Sequence, residues 1–187
     1  MPKRIPAMQV ISVIAGLAIV ALIIYLGNLI NSTETIQDRL RYQQPQILPA
    51  EARPDGTIVN YTYVPVYSHI YAMGGEPFLL EATLSIRNPD PLHAMEISAI
   101  DLYDTSGKQV RSYLDSPVSL APMATADYLL ERTDSKGGSG ANFVVQWSSP
   151  RNGARALMES VMIGSQDDLY ISFSSRGIRL PYPMTEQ

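Results

Sequence analysis

Cysteine is absent from this 187-residue sequence, which excludes disulfides, thiolate metal sites, a cysteine nucleophile and a lipid-modified cysteine anchor. Histidine occurs only twice, so most metal sites and histidine-based triads are already constrained. Basic residues are outnumbered, with 14 Lys and Arg against 18 Asp and Glu and a formal net charge of -4. No basic cluster interrupts that balance, which argues against a nucleic-acid partner. No internal repeat is visible.

Charge is missing altogether from one stretch, residues 7–30 (AMQVISVIAGLAIVALIIYLGNLI). As a helix its roughly 24 residues reach about 36 Å, enough to cross a hydrocarbon core of about 30 Å. The run ends in Tyr25-Leu26-Gly27-Asn28-Leu29-Ile30, a poor signal-peptidase site, and it exceeds the length of a signal-peptide apolar region. The expectation is an uncleaved, single-pass transmembrane anchor. Lys3 and Arg4 precede it, whereas Glu34 and Asp38 accompany Arg39 and Arg41 after it. The positive-inside bias therefore puts the N-terminus in the cytoplasm and everything after Ile30 on the far side of the membrane.

The remaining residues suit one globular domain. Residues 31–44 (NSTETIQDRLRYQQ) space Ile36 and Leu40 four apart, which predicts a short amphipathic stalk. Pro45, Pro49 and Pro54 then favour a stiff, extended linker, with the domain beginning near Asp55-Gly56. The domain proper is expected over 57–180, and 181–187 form a tail.

From Thr57 onward the period is two. Residues 57–64 read as a strand, and the clearest strand is 77–87. There Phe78, Leu80, Ala82, Leu84 and Ile86 share one face, with Leu79, Glu81, Thr83, Ser85 and Arg87 on the other. Asn88-Pro89-Asp90-Pro91 ends it. Residues 95–103 alternate imperfectly, Ile97 and Ala99 against Ile100 and Leu102, which suggests a bulge or two-sided burial. Asp104–Lys108 reads as a hairpin turn, and further strands are expected over 109–114, 118–121, 125–132, 141–147 and 169–175. Between Ala154 and Ile163 the period is helical, placing Ala154, Leu157, Met158, Val161 and Met162 on one stripe. The fold class is therefore mainly β: an immunoglobulin-like antiparallel β-sandwich with one short helix, preceded by the transmembrane helix. A small barrel is the alternative.

Several stretches carry a resemblance. They are Tyr67-Ser68-His69-Ile70-Tyr71, Leu84-Ser85-Ile86-Arg87-Asn88, Tyr103-Asp104-Thr105-Ser106-Gly107-Lys108, Gly137–Phe143 and Ser172–Gly177. Together they resemble a bacterial family of domains of unknown function, number 3124, over roughly Val64 to Gly177. The resemblance implies a compact exported domain and brings no activity or assigned site.

Candidate chemistry is sparse. His69 and Met73 are four apart, and His93-Ala94-Met95 is a His-x-Met pair, a ligand set suited to Cu(I). Ser68 beside His69 is only a sequence neighbour pair, and no Gly-x-Ser-x-Gly elbow exists. Gly137–Gly140 is followed by no Lys-Ser/Thr, so a mobile loop explains it better than a phosphate cradle. Asp101, Asp104 and Asp167-Asp168 are better explained by turns and a polar loop than by paired-carboxylate catalysis. Met158 and Met162 read as core, Trp147 as the large core aromatic, and Arg176 as a partner of Asp101 or Glu81 in preference to a receiver of an anionic group. Tyr61, Tyr63, Tyr67 and Tyr71 crowd one segment, and tyrosine suits interfaces. In the apolar helix, Gly16 and Gly27 would let a neighbouring helix approach. The expected function is non-catalytic, without a cofactor: an accessory or assembly subunit contacting other subunits of an inner-membrane complex, respiratory or photosynthetic. A periplasmic Cu(I)-binding module is the alternative.

Overall fold

The structure, a computed structural model, describes residues 8, 14–28, 41–43, 45, 49–50, 57–72, 74–131, 137–150, 153 and 155–181. Twelve strands follow in order: β1 (Thr57–Pro65), β2 (His69–Ala72), β3 (Glu76–Leu79), β4 (Glu81–Arg87), β5 (Met95–Tyr103), β6 (Gln109–Ser112), β7 (Val118–Leu120), β8 (Thr125–Leu130), β9 (Asn142–Pro150), β10 (Leu157–Gln166), β11 (Leu169–Arg176) and β12 (Ile178–Leu180). Every pairing is antiparallel.

One sheet of six strands runs β12-β1-β9-β5-β6, with β7 also on β5; a second of four runs β11-β10-β4-β8; β2 and β3 make a separate hairpin. Alternation decides what lies between the two large sheets. Val64, Phe143, Val145, Trp147, Ile97, Ile100 and Leu102 point inward from the first. They share one core cluster with Ala82, Leu84, Ile86, Ala126, Tyr128, Leu130, Met158 and Met162 from the second. Two hydrogen bonds join polar groups at this core: Trp147 Nε1 donates to Thr62 Oγ1 at 2.9 Å, and the Ser160 hydroxyl donates to the Pro65 carbonyl, tying β10 to β1.

β5 shows why its alternation reads imperfectly. Its register on β9 shifts between Ile97 and Ala99, so Met95 and Ile97 face inward, and so do Ile100 and Leu102 after the shift. The extra residue re-phases the strand and keeps both halves apolar side in. The chain leaves the smaller sheet for the larger between β11 and β12, at Gly177. A Cβ there would sit 2.7 Å from Thr62 Cγ2 and 2.9 Å from Val64 Cγ2, so only glycine lets the crossover lie against β1.

Two expectations are corrected. The helical stripe expected over 154–163 is strand β10. Met158 and Met162 are four apart, a spacing that satisfies both a period of two and a period of 3.6. Leu157 and Val161 repeat the ambiguity. The tie is broken by pairing, because β10 lies between β4 and β11 and buries Met158, Ser160 and Met162 on one side. Val161 and Ile163 then face outward, 38% and 50% exposed. The strand expected over 77–87 is also two strands, β3 and β4, broken where Leu80 N donates to Ser68 O at 2.9 Å. Its inward residues, Phe78, Leu80, Ala82, Leu84 and Ile86, are all buried.

The chain divides into two units, Met1–Gln43 and Gln44–Gln187. In the first, residues 14–28 form helix α1, whose side chains are all exposed. Among the described residues no helix is long and apolar enough to cross a membrane; α1 covers part of the expected 7–30 span. Of the expected stalk, only 41–43 are described, and they are not helical. In the second unit Pro49 bridges Val118 and Ala50 N donates to Pro117 O at 3.0 Å, so this part of the expected linker lies along β7. The expected boundary at Asp55-Gly56, and the tail beyond Pro181, lie outside the described residues.

Candidate functional site

β4 and β9 run from one end of the two-sheet domain to the other, and β5, beside β9, runs back. Each end gathers a polar corner.

At the first corner Ser68 follows β1, Thr105 follows β5 and Gly137–Gly140 precede β9. The Ser68 hydroxyl donates to Gly138 O at 3.1 Å and accepts from Gly138 N at 3.0 Å, while Ser68 N also donates to Gly138 O. Thr105 N donates to Gly137 O at 3.1 Å, and Thr105 Oγ1 accepts from Gly140 N at 3.0 Å. The glycine segment is thus clamped between two hydroxyls, where the sequence suggested mobility; its preceding residues 134–136 lie outside the described ones. Gly138 has φ +83°, and a Cβ there would collide with Thr105 Oγ1. His69 Nδ1 lies 3.3 Å from Ser68 Oγ, and its ring meets Tyr71 edge-on at 5.2 Å. The Ser68 hydroxyl is engaged twice with Gly138, an arrangement of a structural clamp rather than a poised nucleophile. The adjoining turn is closed by Asp104, whose Oδ1 accepts from Ser106 Oγ, Ser106 N and Lys108 N at 2.6, 2.8 and 3.0 Å. Those bonds, the Ser106 hydroxyl foremost, hold its carboxyl below the usual range.

The second corner is built on Asn88 and Asp90, both buried. Asn88 Nδ2 shares its hydrogens among the carbonyls of His93, Leu120 and Ala121 at 2.9, 3.2 and 3.0 Å. Its Oδ1 accepts from Asp90 N at 3.1 Å. Asp90 Oδ1 in turn accepts from Leu92 N and His93 N at 2.8 and 2.9 Å, and His93 Nδ1 lies 3.2 Å from both carboxylate oxygens. The proline-bounded loop after β4 is therefore wrapped around one amide and one carboxylate.

The third feature is the outer face of the six-stranded sheet. Register aligns Ile178, Tyr63, Val144, Asp101 and Ser112 in one row across β12, β1, β9, β5 and β6. The neighbouring rows carry Leu180, Tyr61, Gln146 and Ala99, then Asn142 and Tyr103. Val144 is only 7% exposed, although it lies outside the core cluster on the side away from the second sheet. Ile178 and Val59 on the same face are 62% and 39% exposed. Burial, with the Asp101 charge second, pushes the Tyr103 phenol above its ordinary range.

A family model for proteins of unknown function (DUF3124) matches residues 59–180, about two thirds of the chain. The chain belongs to the DUF3124 family. The DUF3124 match contains both corners and the outer sheet face, and α1 lies outside it. No curated protein matches. Among solved structures, a crystal structure of Thermotoga maritima 1070 is similar at a TM-score of 0.39 and 15% identity, over 64% of this chain and 91% of that one.

Within this DUF3124 domain the residues singled out by sequence separate. His69 stands at the start of β4, through the Ser68–Leu80 bond, and His93 at its end, through Asn88. A seven-residue strand lies between them, roughly 23 Å at about 3.3 Å per residue. Met95 is a core side chain, 3% exposed, and Met73 lies outside the described residues. The two histidines and Met95 do not converge, and among the described residues no group of three His, Asp or Glu could hold a metal ion. Met158, Met162 and Trp147 are core. Arg176 is exposed and opposite Glu159 in register, rather than beside Asp101 or Glu81.

Of the four tyrosines, Tyr61 and Tyr63 share the outer face of β1. Tyr67 packs its ring on Phe173 at 5.8 Å, and Tyr71 projects from β2, 65% exposed. Gly16 and Gly27 have open space where a Cβ would stand. Sequence reasoning missed Val144, Tyr103 and Ile178 as neighbours of Tyr63. No sequence signal announces them, because cross-strand register between segments this distant is set by the fold.

Proposed function

We propose that this chain is a non-catalytic, single-pass membrane protein whose exported immunoglobulin-like β-sandwich docks on other membrane-protein subunits. In this reading it serves as an accessory or assembly subunit of a larger inner-membrane complex. The observation that carries the proposal is the outer face of the six-stranded sheet. Tyr61, Tyr63 and Tyr103 surround a valine, with Val59 and Ile178 exposed at its side. An aromatic and aliphatic centre bordered by Asp101, Asn142 and Gln146 matches the composition of protein-docking surfaces.

The uncharged run 7–30 supports the tether. Its described part, 14–28, is helical and exposes Leu17, Val20, Ile23 and Ile24 by more than half, a surface suited to lipid. Two antiparallel sheets sharing one core, with a strand passing from one to the other at Gly177, support the immunoglobulin-like reading. Among the described residues His69, His93 and Met95 stand apart, which does not favour the Cu(I) alternative.

Purification of the full chain from membranes in mild detergent tests the proposal. The expected result is a stoichiometric membrane-protein partner that is lost on Tyr63→Asp. Recovery of the chain without any such partner overturns it.

A further inference from the structure

The edges of the two large sheets are not alike. β12 and β7 have three residues each, β6 has four and a register shift against β5, and β8 has six with Asp127 in the middle. Short, irregular or charged edges resist pairing with other chains. β11 is different: eight residues, Leu169–Arg176, paired on one side only among the described residues, with no proline, glycine or lysine. Its inner-face residues Ile171 and Phe173 are half-buried at the margin of the core.

We propose that two copies of this chain join along β11, antiparallel about a two-fold axis at Ser172. The two four-stranded sheets then become one continuous sheet of eight. A two-fold axis perpendicular to the sheet keeps inner faces on one side, so the residue at the axis must face its own copy. Three centres lie near the middle of the strand. Centring on Ile171 sets Arg176 against Gln166, and centring on Phe173 sets Arg176 against Tyr170.

Centring on Ser172 sets Arg176 against Asp168 of the second copy, twice by symmetry. The same register sets Ile171 against Phe173 on the inner side, extending the core, and Tyr170 against Ser174 on the outer side. Only this register gives Arg176 an acidic partner, Asp168 in the turn before β11, while it also sets Leu169 against Ser175. The arginine is available for this role. Its opposite residue within the sheet, Glu159, is already held by Arg87 at 3.3 Å. Among the described residues neither Arg176 nor Asp168 makes an ion pair.

The chain has no cysteine of its own, so one introduced thiol reports the register directly. In the full chain, Ser172→Cys brings two thiols to the axis. There the Cα separation of about 4.5–5.5 Å falls inside the disulfide range of about 4.4–6.8 Å. Ser174→Cys places its own copy four residues away, about 13 Å. Mild oxidation in membranes is expected to give a covalent dimer with Ser172→Cys and none with Ser174→Cys. Asp168→Arg should slow that cross-linking by about ten-fold, through two lost pairs and two new repulsions, and adding Arg176→Asp should restore it.

Equal cross-linking at both positions, or none at Ser172→Cys, overturns the proposal. So does a loss with Asp168→Arg that the double variant fails to restore. A chain that is monomeric by light scattering while β11 amides are protected from exchange overturns it too, since another segment then covers the edge. Recovery or loss of a heterologous partner bears on the function proposed above and leaves this register untouched.

Discussion

The two polar corners do the same job with different chemistry. Both fix loops between strands at opposite ends of one core, and both set a histidine beside a hydrogen-bonding side chain. The Ser68–Thr105 corner uses two neutral hydroxyls, Ser68 buried and Thr105 exposed, on a glycine backbone that opens to water from Gly137 to Gly140. The Asn88–Asp90 corner uses a buried amide and a buried carboxylate, each with several partners. A neutral hydrogen bond near solvent is replaceable by water, whereas a buried group left without a partner carries its full desolvation cost. The difference teaches where the domain is rigid: the Asn88 end is a fixed hub, and the Ser68 end is a clasp.

The largest effect is therefore expected from Asn88→Ala, which takes a donor from three carbonyls, of which Ala121 O keeps Ala124 N, and the acceptor from the Asp90 amide, and should cost about 3 kcal/mol in urea unfolding. Gly138→Ala comes next, at about 2 kcal/mol, because it strains a left-handed residue and collides with Thr105. Ser68→Ala should cost about 1 kcal/mol. If it costs as much as Asn88→Ala, the contrast between hub and clasp fails.

The smallest effects concern pH. The Asp104 carboxyl is held low in the folded chain, so its contribution is present above about pH 4 and is lost as pH falls through the lower native value. Asp104→Asn should thus differ from the parent chain at neutral pH and converge with it in acid. Tyr103 has the opposite sign. Its phenol is raised, so its contribution is present below about pH 10 and is lost as pH rises through the higher native value. Tyr103→Phe should remove that alkaline sensitivity, measured by thermal melts across pH.

Strand phase was legible in the sequence wherever one face is apolar and the other wet. Phe78 to Ile86, Ala126 to Leu130 and Phe143 to Trp147 point inward as their alternation predicts. Even the β5 irregularity showed, because two apolar pairs out of phase need an extra residue between them. β10 was misread because its methionines repeat every four residues, and strand pairing decided the case. The corners were legible only as isolated motifs: Ser68 meets Gly138 across seventy positions and Thr105 meets Gly137 across thirty-two. Nothing local joins them. The tyrosine cluster was half legible, since Tyr61 and Tyr63 share a strand face while Tyr67 turns toward Phe173.

The proposed tether bears most directly on function, and alkaline extraction of cell membranes tests it. The account predicts the full-length chain, still beginning before residue 7, in the membrane pellet after washing at high pH. A chain released into the supernatant, or a mature protein that starts after Ile30, would contradict it.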